Sequence, residues 1–337
     1  MKSSVVICVY TEDRWEDIRE AVESVERQRR PAHELILVVD YNPDLLLRLK
    51  DAYARAVSAG ARRERATEEP TSGEAGATTI RVVENVHDKG LSGGKNTGAD
   101  VATGDIVAYL DDDAVADAGW LEALEEGFQD PAVVGVGGRT DPLWKTGGRP
   151  GWFPYEFDWT VGCSYRGMPA VRSPIRNVMG GNAAFRREAV GEVGGFHSGI
   201  GRSVQGRKSR PLGCEETEFC IRLSQRKPGS VMLFEPDAVI GHKVPAQRAT
   251  FAYFRSRCYA EGLSKALVTQ SVGTQDGLKS ERAHALKALP LGALRGLGEA
   301  VRGDVSGIGR AFAIVIGLAW TTWGYVVGSA RLKVVRK

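Results

Sequence analysis

Three adjacent carboxylates, Asp111, Asp112 and Asp113, end the apolar run Ile106–Leu110 of this 337-residue chain. Like charges this close repel, and each resists leaving water. An apolar run that ends in them needs either full solvation or a cation. Hard oxygen ligands suit Mg2+ or Mn2+, which keep waters and bridge one or two carboxylates to substrate phosphates. The competing reading is an acidic turn or helix N-cap, where Asp is also favoured. What decides between them is which other groups the fold brings to the same place.

The elements before the triplet alternate. SVVICVY reads as a short buried strand. Residues 14–30 put Ile18, Val22 and Val25 at helical spacing, and Pro31 stops that helix. HELILVVD is a second strand ending at Asp40, followed by a helix over 44–57 and a polar, Gly/Glu/Arg-rich loop over 58–79. TIRVVEN is a third strand, GGKNTGADVA opens a helix behind a Gly-rich loop, and DIVAYLDDDA is a fourth strand. Four alternations of strand and helix imply an α/β domain with a mainly parallel sheet flanked by helices. Ligands bind such sheets beyond the carboxyl ends of the strands. Tyr10, Thr11, Asp40 and Asp111–Asp113 all fall at those ends, so the expected site is a metal–phosphate crevice.

Several classes are excluded. The loop KGLSGGKNTG looks like a phosphate loop, but Gly94-Lys95 is followed by Asn96 rather than Ser or Thr, and Lys89 stands where the first Gly should be. No GxGxxG follows the first strand, which argues against a nicotinamide enzyme. With 42% hydrophobic and 26% charged residues the chain is globular, and a net charge of +3 gives no reason to expect nucleic acid. Five cysteines, an odd number with no CxxC, indicate reduced thiols rather than a disulfide framework or zinc ribbon. The apolar run at the N-terminus is too short for a signal peptide and ends in charges.

Taken in order, VVICVYTEDR, LILVVD, GLSGGKNTGADVATGDIVAYLDDDA, GGNAAFRREAVGEVGGF and GCEETEFCIRL resemble the family-2 inverting glycosyltransferases with a GT-A fold. The resemblance covers residues 3–245. It implies that Tyr10, Thr11, Glu12 and Asp40 hold the nucleoside, and that Lys89, Lys95 and Asn96 flank the donor. It also implies that Asp111 and Asp112 lie by the ribose and diphosphate, and that Asp113 ligates Mn2+ or Mg2+ with Asp111 as a further ligand. The family often has a histidine near the metal where this chain has His242; a lone histidine is equally often structural. The family's Glu-Asp motif, which supplies the catalytic base, is matched imperfectly by CEETEF: the second acid is Glu216, and Cys214 replaces a common Gly. The base is therefore Glu216 or Glu215. An acidic first helical turn is also what the helix dipole favours.

The remainder carries less chemistry. Aromatic PGWFPYEFDW (Trp152, Phe153, Tyr155, Trp159) reads as core or lid packing. FAYFRSRCYAEGLSKALV places Arg255, Arg257 and Lys265 among aromatics, either as a basic face for an anionic partner or as a solvated helix face. Residues 311–330 hold no charge and are long enough to cross a bilayer. Arg331, Lys333, Arg336 and Lys337 follow, so the positive-inside rule would put the tail in the cytoplasm and the site outside, away from nucleotide sugar. The conflict disappears if the segment lies in the interface, re-enters, or pairs with residues 283–301. A helix packed on the domain is the soluble alternative.

The expectation is thus three segments: a catalytic domain over 1–245, a helical extension over 246–282, and membrane-associated helices over 283–337. The expected activity is inverting transfer from a nucleotide sugar, UDP-linked, to a lipid-linked or cell-surface glycan acceptor at the cytoplasmic face of a membrane, with no nucleic-acid partner. A nucleotidyltransferase, or a non-catalytic glycan- or nucleotide-binding protein on the same fold, is the alternative.

Overall fold

In the computed structural model, which describes residues 1–64, 78–198, 203–205, 208–210 and 213–335, the first half is a run of parallel strands with intervening helices. It consists of β1 (Ser3–Val9), α1 (Trp15–Glu26), β2 (Glu34–Val39), α2 (Pro43–Glu64), β3 (Thr79–Glu84), α3 (Leu91–Val101) and β4 (Ile106–Leu110). All six residues of β2 and all five of β4 are buried, as strands covered on both faces must be. Side chains alternate between two layers. Val5, Ile7, Leu35 and Leu37 meet Ile18, Val22 and Val25 of α1, while Val6, Ile36, Val38 and Tyr109 face the layer that contains Ala99 of α3. The expected loop over 58–79 begins later than the polar composition suggested, because α2 continues to Glu64; residues 65–77 lie outside the described residues.

The second half contains β5 (Ala114–Ala116), α4 (Trp120–Glu126), β6 (Val133–Trp144), β7 (Ser173–Ile175), β8 (Asn182–Arg186), α5 (Arg187–Glu192), the hairpin β9 (Ser203–Gln205) and β10 (Lys208–Arg210), α6 (Glu215–Arg226) and β11 (Val231–Val244). The main sheet runs β3-β2-β1-β4-β8-β6-β11-β5, with β7 also on β11. β8 is antiparallel to both β4 and β6, so the sheet is parallel on one side and mixed on the other. Sequence alternation carries no signal for that reversal, since a doubly covered strand looks the same in either direction.

Two consequences position the site. β8 enters against the end of β4, so Gly180 and Gly181 lie beside the aspartates. β11 is long and bulged between Glu235 and Val239; its last part turns to pair with β5, His242 opposite Ala114. His242 therefore meets Asp113 across 129 positions of sequence.

After β11 come α7 (Phe251–Val272), α8 (Thr274–Gly277), α9 (Lys279–Ala283), α10 (Leu289–Val301) and α11 (Ser306–Val335). These helices share a core with the preceding part of the chain: Phe153, Phe157, Cys163 and Val244 pack with Phe254, Cys258, Leu289, Ala313 and Ile314. Trp152 and Trp159 pack at its edge, whereas Tyr155 is exposed beneath Arg149 and Arg166. Neither Arg257 nor Lys265 lies on a solvated face. Both are buried, and Lys265 bonds ionically to Glu261 and Glu281.

Candidate active site

A cleft of about 1550 Å³ runs from the carboxyl ends of β1, β2 and β4 to the inner sides of α7, α9, α10 and α11. At its sheet end, Asp111, Asp113 and His242 bring their ligand atoms within 4.8 Å of one another, a group able to hold a metal ion. His242 Nε2 is 3.1 Å from Asp113 Oδ1, and its Nδ1 is 3.8 Å from Cys163 Sγ. Arg14 donates to Asp112 Oδ1 at 2.5 Å and lies 3.2 Å from Asp113 Oδ2, with Arg248 at 3.9 Å.

These neighbours separate Asp112 and Asp113 electrostatically. Burial works against ionisation of Asp113, but the hydrogen bond and charge of His242, with Arg14 and Arg248, outweigh it and hold the carboxyl below its usual range. Asp112 goes the other way. Burial dominates there, Arg14 only partly offsets it, and the carboxyl is pushed up to about 7. Its Oδ2 is buried with no hydrogen-bond partner among the described residues. A buried, unpartnered carboxylate oxygen beside two further carboxylates and an imidazole is a donor set that fits a divalent cation.

Room for this group comes from glycine. A Cβ on Gly181 would sit 2.2 Å from Asp111 Oδ2, and one on Gly180 would sit 2.6 Å from Lys95 Nζ and 3.3 Å from Glu216 Oε2. A side chain at either position would crowd the acidic cluster, Lys95 or the start of α6. Cys214, at φ 75°, precedes α6, and Glu215 and Glu216 occupy its first turn. Lys95 is buried and lies 3.3 Å from Glu215 Oε1. Burial opposes its charge, but Glu215, Glu216 and Asp111 outweigh that and keep it cationic. Glu216 keeps part of its surface open to the cleft. Burial first, and Glu215 second, push its carboxyl up to about 7, with Lys95 pulling partly back.

Of the other expected residues, Tyr10, Thr11, Asp40 and Lys89 line the sheet end of the cleft. Asp40 accepts from Gly90 N at 3.1 Å and from Asn85 Nδ2 at 2.7 Å, so it also holds the loop before α3. Gly90 has φ 123°, which a side chain would strain. Two expected residues lie elsewhere. Glu12 is exposed and lies 3.9 Å from Arg48, while Arg14 of the same short helix reaches the aspartates. Asn96 faces away on α3 and clamps Phe196, accepting from its N at 2.8 Å and donating to its O at 2.9 Å.

Arg14, Arg248 and Arg176 line the cleft without having been singled out in the sequence. A helical spacing argument gives no sign of them, since a lone arginine is ordinarily a surface residue. The paired glycines before β8 were a readable signal: Gly in a strand approach marks close passage of another group.

The fold is that of a GT-A transferase, and similarity to known proteins agrees. The family described as "Glycosyl transferase family 2" matches residues 4–194. The chain is 32% identical over 266 residues to a glucosyl-dolichyl phosphate glucuronosyltransferase of Haloferax volcanii, covering 79% of this chain and 76% of that protein. It is 30% identical over 168 residues to a pre-mycofactocin glycosyltransferase of Mycobacterium tuberculosis, covering 48% of this chain and 32% of that one. Among solved structures, the mannosyltransferase PcManGT of Pyrobaculum calidifontis, in complex with GDP-Man and Mn2+, superposes with a TM-score of 0.51 at 18% identity, covering 95% of this chain and 87% of that one. The chain belongs to glycosyl transferase family 2. It is a glycosyltransferase on a GT-A fold, which sets aside the nucleotidyltransferase and non-catalytic alternatives.

Proposed function

We propose that this enzyme inverts the anomeric centre as it moves a sugar from a nucleotide donor, UDP-linked, to a lipid-linked or cell-surface glycan at the cytoplasmic face of a membrane. The observation that carries the reading is the shared cleft: Glu216 lines the same space as Asp111, Asp113 and His242, with Gly180 against Glu216 and Gly181 against Asp111. Among acceptors, a lipid-phosphate-linked sugar is favoured, because the Haloferax relative is named for glucosyl-dolichyl phosphate. Residues 1–245 carry the donor site in this reading, 246–282 close the acceptor side, and 283–337 meet the membrane.

Each residue then has a task. Tyr10, Thr11 and Asp40 border the nucleoside, with Lys89 at the mouth. Asp113, Asp111 and His242 hold a divalent cation, Mn2+ or Mg2+, with Asp112 beside them and Arg14 occupying the carboxylates until the cation binds. Bound there, the cation stabilises negative charge on the departing diphosphate. Glu216 accepts the proton from the acceptor hydroxyl as that oxygen bonds to the anomeric carbon, on the side opposite the breaking bond to diphosphate. A carboxyl near 7 suits this, being ionised in part at neutral pH yet basic enough to pull the proton. Lys95 keeps Glu215 occupied, which leaves Glu216 to the cleft.

The test is a screen of nucleotide sugars for release of nucleoside diphosphate, with and without Mn2+ or Mg2+, in the presence of membrane lipid extracts. Release that needs both cation and lipid supports the reading. Release indifferent to cation or to any lipid would remove the corresponding part.

A further inference from the structure

The C-terminal helices are arranged inside out for a soluble protein. On α11 the small residues face inward. A Cβ on Gly324 would lie 2.1 Å from Tyr259 O of α7, and one on Gly317 would lie 2.5 Å from the Phe157 ring. Gly328 likewise meets Ala266, so contact with α7 continues for several turns. The large residues Ile308, Phe312, Val315, Trp323 and Val326 recur at helical spacing on the opposite side and are exposed, Phe312 and Trp323 each by 57%. Leu294, Leu297 and Val301 of α10 are exposed in the same way. α10 doubles back beside α11, with Gly296 against Gly307. Only a third of the apolar stretch of α11 is buried. An apolar surface of this extent needs a cover.

We infer that this face docks flat on a lipid bilayer, and that α11 lies in the membrane plane instead of crossing it. The inference rests on the membrane reading above and adds its geometry. Crossing would carry α7 into the hydrocarbon, because α11 is seated on it from Gly317 to Gly328. α7 bears Arg255, Arg257, Glu261 and Lys265, which lipid would not accept. Lying flat needs no such step. Exposed Lys287 and Arg302 stand before and after α10, and exposed Arg331 stands near the end of α11, cations available to anionic headgroups. Flat docking also ends the conflict between the basic tail and the nucleotide supply, since the tail and the catalytic cleft then share one side. The cleft reaches this face: Ala288, Leu291, Leu318, Thr322 and Tyr325 line it along with Glu216. A sugar on a lipid phosphate can therefore approach the base while its hydrocarbon chain stays in the bilayer.

Deleting α11 would uncover Phe157 and Phe254, so point changes on the full chain are the better probe. Val305→Cys and Arg331→Cys bracket a helix of about 39 Å, at 1.5 Å per residue. Both should react with a membrane-impermeant maleimide in inverted vesicles and neither in intact cells. Reaction of one of them in intact cells means a span and overturns the inference. Phe312→Glu with Trp323→Glu should reduce co-flotation with phosphatidylglycerol-containing vesicles at least tenfold, while UDP affinity measured by calorimetry stays within twofold. Unchanged flotation, or a stable lipid-free dimer that buries this face, also overturns it. Failure of the unaltered chain to bind UDP would instead defeat the UDP donor assignment, independently of where α11 lies.

Discussion

Replacing Glu216 by Gln should slow the enzyme and stabilise it, and the two effects have one origin. The Glu216 carboxyl stands near 7 in the folded protein against an ordinary 4.5. Between those values the native state holds a proton that the unfolded chain has lost, so stability falls as pH rises through that window. At about 1.4 kcal/mol per unit the full cost above pH 7 would be about 3 kcal/mol. Water at the open edge of the carboxyl screens part of this, leaving about 1–2 kcal/mol. Glu216→Gln, which keeps the shape and removes the charge, should therefore raise unfolding free energy by about that amount at pH 8 and by nearly nothing at pH 4.5. Its rate of diphosphate release with acceptor present should drop about 10²–10⁴-fold, the usual worth of a positioned base. Donor affinity should hold, because the base does not touch the nucleotide. In the unaltered enzyme kcat/KM should rise about tenfold per pH unit below 7 and level off above it. Denaturant titrations at the two pH values and a pH–rate profile measure all of this. A variant that turns over normally would refute the assignment. So would a variant less stable than its parent at pH 8.

Further outcomes follow from the same geometry. Glu215→Gln should behave oppositely, losing about 3 kcal/mol of stability at neutral pH because buried Lys95 loses its nearest carboxylate, as denaturation curves would reveal. Asp113→Asn should abolish cation-dependent turnover with the fold intact by circular dichroism; a normal metal titration would remove Asp113 from the ligand set. Arg14→Gln should tighten Mn2+ binding in the absence of nucleotide, since the guanidinium occupies Asp112 and Asp113 at 2.5 and 3.2 Å, and calorimetry showing weaker binding would contradict this competition. Gly181→Ala should cut activity at least tenfold while largely sparing stability, because the new methyl displaces the Asp111 carboxylate 2.2 Å away; unaltered kinetics would show that Asp111 has freedom to move.

The alternation of strand and helix through Leu110, the placement of Asp40 and Asp111–Asp113 at strand ends, and the apolar character of the tail were all legible in the chain. They depend on local periodicity, which short stretches of sequence carry in full. The acidic first turn of α6 was legible for the same reason, although its two glutamates could not be told apart. Only the folded chain separates them, because Lys95 comes from a helix 120 positions earlier and pairs with Glu215. The antiparallel entry of β8, the arrival of His242 beside Asp113, and the arginine on the acidic cluster were likewise settled by pairings distant in sequence. Glu12 and Asn96, which the family resemblance put beside the donor, pair instead with Arg48 and with the backbone of Phe196. The tail shows the division most clearly. Its composition dictates that something apolar must cover it, but which face stays open is decided by Gly317, Gly324 and Gly328 seating against Phe254, Tyr259 and Ala266 of α7, some sixty positions away.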